Sequence, residues 1–550
     1  MRKLLLILCC SFATSASAQT PAPVPASTLR LTVDDAVKMA LDHNVDLSAE
    51  RLDPQISDTR VAAAAGAFRP TFNTSLNRNN QLQPPSSFLI PAATRNDVVT
   101  SNAGVAQRLP WFGTSYSVGW NAVHTDSNSF LQSYNPLVQS GLSINFSQPL
   151  VRDLLIDPAR QQLAVSRINR DIADTRLRET TVQTTANVKS AYWALVTAVA
   201  NVDARRTAVD LARELERVNQ AKVDVGQSPP LDLVSAQAEV ASNREQLIIA
   251  ETAVKVAEDK LRLLIFDTGD RSVWNVKVDP IDAPPITTAA VDVDAAVTNA
   301  LRDRTDLVRA RKDIDVAQVT EKFSGAQRLP DVRLNASYLA TGLGGTQVLR
   351  TGGFPGTIVG PGQSTEFGTV LNQLFSNQYP TWAFGVSVSY PLGTSIEDAN
   401  YARSKLEHRQ AAERLKSAEA HAVQQVREAA WKIDMNAKRI DTTRAARELA
   451  DQRLDAERKR FDVGMSTSFL VIQAQRDLAQ AKTNELSAVL AYDLALVDFE
   501  ELQQAAPSGS LLGNGSGASS DSTSTGVPGT APAAAAPVPA QTAAGVRIGG

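Results

Sequence analysis

The chain has two cysteines in 550 residues, Cys9 and Cys10. Both fall in a segment that reads as a cleavable secretory signal: Arg2 and Lys3, an apolar run from Leu4 to Phe12, then Ala16-Ser17-Ala18. Cleavage after Ala18 leaves a chain that can form no disulfide. Leu8 precedes Cys9 and Cys9 precedes Cys10, where a lipoprotein signal needs a small residue, so lipidation is not expected. No later stretch reaches about eighteen consecutive apolar residues, which excludes a transmembrane helix and leaves strands or a surface for any membrane contact. Aromatic residues are scarce, 5%, as in long helices that pack through small side chains. A formal net charge of −3, with no basic patch interleaved with aromatics, excludes nucleic acid as a partner. The histidines, at 43, 124, 408 and 421, have no metal-ligand spacing. There is no G-x-S-x-G and no P-loop, and the stretch from Gly342 to Gln347 lacks the third glycine of a dinucleotide fingerprint. An enzyme, a cofactor and a resident metal are therefore not expected.

What is present is periodicity. After the turn from Asp224 to Pro230, the residues Leu233, Ala236, Val240, Asn243, Leu247, Ala250, Val254, Ala257, Leu261 and Leu264 recur at alternating steps of three and four. That is a heptad seam of a helix packed along another helix, slender because so many members are Ala or Asn. Arg160 to Lys222, free of Gly and Pro, predicts a helix of about 95 Å, and the seam helix to Phe266 one of about 55 Å. Glu397 to Phe461 and Thr467 to Leu502 predict the same two lengths again. Leu31 to Phe68 reads as one further helix kinked at Pro54. Half-length helices stacked end to end would match one full-length helix, giving a helical wall roughly 100 Å tall.

Elsewhere the period is two. Thr71 to Asn77, Gly141 to Ser147, Asp331 to Tyr338 and Phe384 to Tyr390 read as strands with one apolar face. Val105 to Leu109 and Ser115 to Ala122 read as an extra hairpin whose place, in a barrel or outside it, stays open. The Gly-rich stretch from Thr341 to Tyr379 reads as an exposed loop. Four strands cannot close a membrane barrel, which needs about eight, so several chains must pool theirs.

The chain is internally duplicated. Residues 32–51 align without a gap to 292–311, pairing Asp34, Ala36, Val37, Leu41 and Leu47 with identical counterparts, and Pro70 pairs with Pro330. A second ungapped match pairs Trp193 with Trp431, Leu211 with Leu449, Gly226 with Gly464 and Gln237 with Gln475. The expected organisation is a signal peptide over 1–18, an extended leader over 19–30, a first repeat over 31–266, a linker over 267–290, a second repeat over 291–503, and a disordered low-complexity tail over 504–550. The fold class is α+β and mostly α: a long antiparallel coiled coil plus strands for a shared transmembrane barrel.

In that order the elements resemble the TolC family of outer membrane efflux proteins. The likeness rests on the opening "LTVDDAVKMALDHNVDL", on strand entries at Pro70 and Pro330, on strand exits "SQPLV" and "SYPLG", and on the tip motifs "VDVGQSPPLDLVSAQAE" and "FDVGMSTSFLVIQAQRD". Pro149 and Pro391 lie in those exits, so Pro70, Pro149, Pro330 and Pro391 mark the strand–helix junctions. The resemblance implies a homotrimer with a twelve-stranded barrel in the outer membrane lipid and a helical tunnel in the periplasm. It implies a passive exit duct for efflux or type I secretion, with a periplasmic adaptor and an inner-membrane pump as partners. Carried onto this chain, the adaptor-docking tips are Val225, Gly226, Gln227 and Ser228, and Val463, Gly464, Met465, Ser466 and Thr467. The family's acidic ring at the tunnel mouth falls on Leu470 and Gln473, so it is absent; in the first repeat the position six after Gly226 is Asp232, which is acidic and a candidate gate. The rival readings are a periplasmic adaptor and a trimeric coiled-coil surface protein without channel activity. An adaptor carries one helical hairpin rather than two, and such a surface protein lacks the duplication.

Overall fold

The computed structural model describes residues 28–507, except 86–92, 130–131, 268, 270, 284–290, 354–355 and 394. The expected signal peptide, the leader before residue 28 and the tail beyond residue 507 lie outside the described residues.

The first repeat runs β1 (Thr28–Leu31), α1 (Val33–His43), α2 (Val45–Glu50), α3 (Leu52–Gly66), β2 (Thr71–Gln83), β3 (Thr94–Arg108), β4 (Ser115–Ser127), β5 (Tyr134–Pro149), α4 (Pro158–Asp224) and α5 (Pro230–Ile265). After β6 (Lys277–Pro280), the second runs α6 (Val293–Asp303), α7 (Thr305–Gln327), β7 (Asp331–Thr351), β8 (Thr357–Thr365), α8 (Phe367–Phe375), β9 (Pro380–Ser389), α9 (Ile396–Asp462) and α10 (Ser468–Leu502).

The two long helices, α4 and α9, have 67 residues each, about 100 Å. Each starts at a built cap. Asp157 accepts from the Arg160 amide with Pro158 behind it, and Ser395 accepts from the Asp398 amide. The segment expected as one helix from Leu31 to Phe68 is three. Asn44 is extended, and its side chain caps α2 on the Leu47 amide. The second break, at Arg51, lies three residues before Pro54, which has no N–H for the carbonyl of Glu50.

These short pieces stack as the length arithmetic requires. The α4–α5 and α9–α10 hairpins pack on each other through α4 and α10, while α3 lies beside α4 and α7 between α4 and α9. The joints are hydrogen bonded: Asn44 Nδ2 donates to the Leu264 carbonyl at the end of α5 (3.0 Å), and the Thr305 amide donates to the Gln504 carbonyl beyond α10 (3.0 Å). Ala505 and Ala506 are buried beside the second joint. β1 pairs in parallel with β6 over this level. The fully buried Tyr192 hydroxyl ties the two together, donating to the Leu31 carbonyl (3.0 Å) and accepting from the Asp282 amide (3.2 Å).

The strands number more than the four expected. One sheet runs β2-β3-β4-β5-β7, with β9 and β8 both on the far side of β7. β9 pairs with Asp331–Ala340, and β8 pairs with Gly345–Thr351. The Gly-rich stretch is therefore not a loop: β7 continues to Thr351, and α8 packs over it where a Cβ on Gly342 or Gly344 would strike Val370. Its glycines interrupt the alternation that would have disclosed a strand. No helix among the described residues is long and apolar enough to cross a membrane.

One buried group in α10 stands out. Asp493 is 2% exposed, and neither carboxylate oxygen has a hydrogen-bond partner among the described residues. Burial pushes its carboxyl up to about 7. A raised carboxyl pKa makes the folded state hold a proton that the unfolded chain releases near pH 4, so stability is full below that pH and falls as pH rises towards 7. We expect the thermal midpoint of the wild-type protein to drop between pH 4 and pH 8, and Asp493→Asn to remove part of that slope, the rest coming chiefly from Glu501, whose carboxyl is likewise pushed up to about 7 by burial. A scan of unfolding temperature against pH for the two proteins checks it.

Candidate functional site

The two tip turns have the same backbone. Gly226 (φ +74°) and Gly464 (φ +78°) are left-handed. The Gln227 amide reaches back to the Lys222 carbonyl (2.8 Å) and the Met465 amide to the Arg460 carbonyl (2.7 Å). These are the six-to-one bonds of a Schellman cap, closed by Gly at the position that a Cβ disfavours. No atom lies within 4 Å of a Cβ built on either glycine, so the constraint is the backbone and not a neighbour.

Around these turns the chain leaves apolar side chains in water. Val225 is 67% exposed, Val463 70% and Met465 79%; Leu231 and Phe469 are exposed as well. Ser466 donates to Glu457 (2.7 Å), and with Arg460 it holds that carboxyl below the usual range. Thr467 is the N-cap of α10. Gln227 and Ser228 complete the first turn between α4 and Pro229. Asp232 sits in the first turn of α5, where the helix dipole favours a carboxylate, and its carbonyl accepts from Asn219 Nδ2 (3.3 Å).

The place of the missing acidic ring is filled differently. Leu470 is partly exposed, and Gln473 donates to Asp477 (2.9 Å), which also pairs with Arg453 (3.2 Å). The junction prolines stand at the ends of their strands: Pro70 before β2, Pro149 at the end of β5, Pro330 before β7, and Pro391 two residues after β9.

Sequence reasoning missed the polar ties that hold the tip hairpins together. Glu239 on α5 is buried, and its Oε2 accepts from Arg476 of α10 through Nε (3.0 Å) and Nη2 (2.6 Å). Its other oxygen accepts from Asn243 (3.0 Å). The fully buried Asn219 donates to Ser468 Oγ (2.7 Å), Gln475 to the Leu211 carbonyl (3.2 Å), and Lys222 to the Phe461 carbonyl (3.0 Å). The one available signal was that Glu239 stands next to seam residue Val240, within reach of a partner helix. Among the described residues no group of three or more His, Cys, Asp or Glu side chains could hold a metal ion.

A family model described as "Outer membrane efflux protein" matches residues 92–265 and 296–503. No curated protein matches the chain in sequence. Solved structures with the same fold include the CmeC outer membrane channel of Campylobacter jejuni, at 14% identity and a TM-score of 0.61, covering 86% of this chain and 85% of that one. The outer membrane protein VceC of Vibrio cholerae is 14% identical, TM-score 0.60, covering 86% and 96%. The open-state MtrE outer membrane channel of Neisseria gonorrhoeae is 17% identical, TM-score 0.58, covering 86% and 89%.

Replacing Gly464 with Ala forces a Cβ into the left-handed region in open surroundings, a cost of about 1 kcal/mol. Gly464→Asn should lose less, because Asn tolerates that conformation. Chemical-denaturation midpoints of the two variants, read against Gly226→Ala as the matched turn, check the ranking.

Proposed function

The chain belongs to the outer membrane efflux protein family, and from that premise we propose that it is the exit duct of a tripartite efflux or type I secretion system. It is a channel protein and not an enzyme, seated in the outer membrane with its helices in the periplasm. Cargo enters at the helix tips, crosses the periplasm inside the helical wall and leaves through the barrel. The chain holds no energy-coupling motif, so the drive comes from an inner-membrane pump reached through an adaptor.

The observation that carries this reading is that the chain is unfinished on both sides, at every level. In the sheet, β2 is the free edge on one side and β9, with β8 beyond it along β7, on the other, and β2 and β9 are exposed along their whole length. Among the helices, the outer members are α5 and α9, which expose Ile248, Ile249 and Val256 on one side and Trp431, Met435 and Leu449 on the other. An unpaired sheet edge is not tolerated in lipid. The two edges differ in kind, so copies join head to tail and the strip closes into a ring. Three copies, as the family likeness implies, make a homotrimer.

The tips are where the adaptor docks. Exposed Val225, Val463 and Met465 are costly in water and gain by burial against a partner, about 2 kcal/mol for a large side chain. Opening requires the α9–α10 tip to part from α4–α5. The Glu239–Arg476 pair and the Asn219–Ser468 and Gln475–Leu211 bonds hold them shut. The Arg side of the ion pair is exposed, so the pair contributes only about 1 kcal/mol, small enough for docking to break.

Two outcomes test the reading. Met465→Glu together with Val463→Glu should cut recovery of the cognate adaptor in pull-downs by tenfold or more while the oligomer still reaches the outer membrane. Full adaptor recovery would sink the docking assignment. Glu239→Ala should raise the open fraction of the purified channel about fivefold, the equivalent of about 1 kcal/mol, measured as conductance in planar bilayers. A protein that gives no conductance in any variant is not a channel.

A further inference from the structure

The hairpin β3–β4 is built as membrane wall. We propose that each copy supplies six strands to the barrel, so that three copies close an eighteen-stranded pore in place of the twelve-stranded one that four strands per copy would give. This rests on the trimeric exit-duct reading above.

Continuity is the first support. β2 pairs with β3 from Thr71↔Ala106 to Gln83↔Thr94 without a register shift, β3 with β4 from Asn96↔Ser127 to Arg108↔Ser115, and β4 with β5 from Ser115↔Ser147 to Thr125↔Leu137. β3 has 15 residues and β4 has 13, where a tilted strand needs about 9–11 to span the hydrocarbon.

The second support is that the inside–outside pattern does not change across the hairpin. One row of directly paired residues reads Phe72, Val105, Val118, Ile144, Tyr338, Trp382 across the six strands. The next row reads Thr71, Ala106, Ser117, Asn145, Ser337, Ala383, and because neighbouring residues alternate, it faces the other way. On that polar face side chains bond from strand to strand: Asn102 to Ser75 (3.1 Å), Asn145 to Ser117 (3.4 Å), Ser147 to Asn335 (2.9 Å) and Asn335 to Ser387 (3.2 Å). A hairpin lying in the lumen or projecting outside would have no reason to keep one apolar and one polar face in step with its neighbours. The whole polar row lines a concavity of about 830 Å³, which Tyr116, Phe146 and Phe384 of the alternate row also border; the chemistry of the two rows assigns the polar one to the lumen and the apolar one to the convex, lipid-facing side.

Third, the hairpin turn is locked to the helical end of the sheet. Its Leu109 amide bonds the Thr114 carbonyl (2.8 Å), and Gln148 donates to the Phe112 carbonyl (2.9 Å). Gly113 is left-handed (φ +66°), and a Cβ there would meet the Asp153 carbonyl oxygen at 2.6 Å. Trp111 and Phe112 are exposed at this turn, at the level where barrels place an aromatic girdle. At the opposite end the convex face turns charged, at the Arg78–Asp97 pair. The first half of the chain thus crosses the membrane four times.

The consequence is a wider exit. With strands roughly 4.8 Å apart and tilted about 40°, twelve give a backbone diameter of about 24 Å and eighteen about 36 Å, a 1.5-fold difference. Away from Arg69 and Arg108 at its helical end, the residues around that concavity are neutral.

The test uses the full-length oligomer in lipid nanodiscs, with its native mass for copy number and end-on electron cryomicroscopy for barrel width. Three copies around a barrel about 36 Å wide are expected. Three copies around one of about 24 Å overturn the inference and leave the exit-duct reading standing; a monomer overturns the trimer beneath it. Cysteine pairs give a second measure without imaging. Phe72→Cys with Val105→Cys should oxidise to an intrachain disulfide in outer membranes, as should Val118→Cys with Ile144→Cys. Phe72→Cys with Ile144→Cys should not, and a disulfide there would mean that β2 and β5 are neighbours and the hairpin is outside the wall.

Discussion

A backbone N–H or C=O left unpaired in hydrocarbon costs several kcal/mol, and a sheet edge presents a row of them. β2 and β9 are such edges, exposed over 13 and 10 residues. Nothing within the described chain can cover them. Most of what is distinctive here follows from that: the strip must close on further copies, and the helices below must carry matching open sides. The slender Ala- and Asn-rich seam of α5 belongs to the same logic, because a helix wall one layer thick has no core to hide large side chains in. Its buried members, Ala236, Val240, Ala250 and Leu261, are mostly small.

The level where half-length helices meet carries the other structural burden. At the equivalent position of the two repeats, Asn44 and Arg304 are both extended between two helices, yet they solve the joint differently. Asn44 bonds the end of α5 directly. Arg304 is buried with Asp306 (2.9 Å) and reaches Gln425 on α9 (2.6 Å), leaving the Thr305 amide to take the Gln504 carbonyl. A buried ion pair stands in the second repeat where a neutral amide stands in the first. The duplicated sequence preserved the break and let its chemistry diverge.

The helices were legible because nothing competes with their signal. Long runs without Gly or Pro place the ends of α4, α9 and α10 within two residues, and the twin "DVG" turns mark the tips. The sheet was legible only in part. Thr71, Leu142 and Val332 lie in stretches of clean alternation, but β3 sets only Val99, Ala103 and Val105 among Arg95, Asp97, Ser101 and Gln107 on its apolar side, and a barrel strand carries little hydrophobic signal of its own. What identifies β3 as wall is pairing, through the Phe72–Val105 and Val105–Val118 rows, and pairing over many residues is not written in any one segment. The Glu239–Arg476 tie is of the same kind: its partners lie 237 residues apart.

Duplication has a further structural meaning. By the sequence match, α4 corresponds to α9 and α5 to α10. The contact between α4 and α10 inside one chain is therefore the template for contact between α9 and the next copy's α5, just as β5 against β7 is the template for β9 against the next β2. Trp193 on α4 is 8% exposed, packed edge-on against Tyr192 at 5.4 Å between ring centres, while its counterpart Trp431 on α9 is 62% exposed. Gln475 donates to the Leu211 carbonyl across the internal contact, and its counterparts Gln237 and Leu449 both face solvent. In the closed ring proposed above, those exposed residues stand where their twins are already engaged. The chain carries one finished copy of the interface and the two halves of another, so what is apolar and unpaired on its flanks is explained by what its own middle has satisfied.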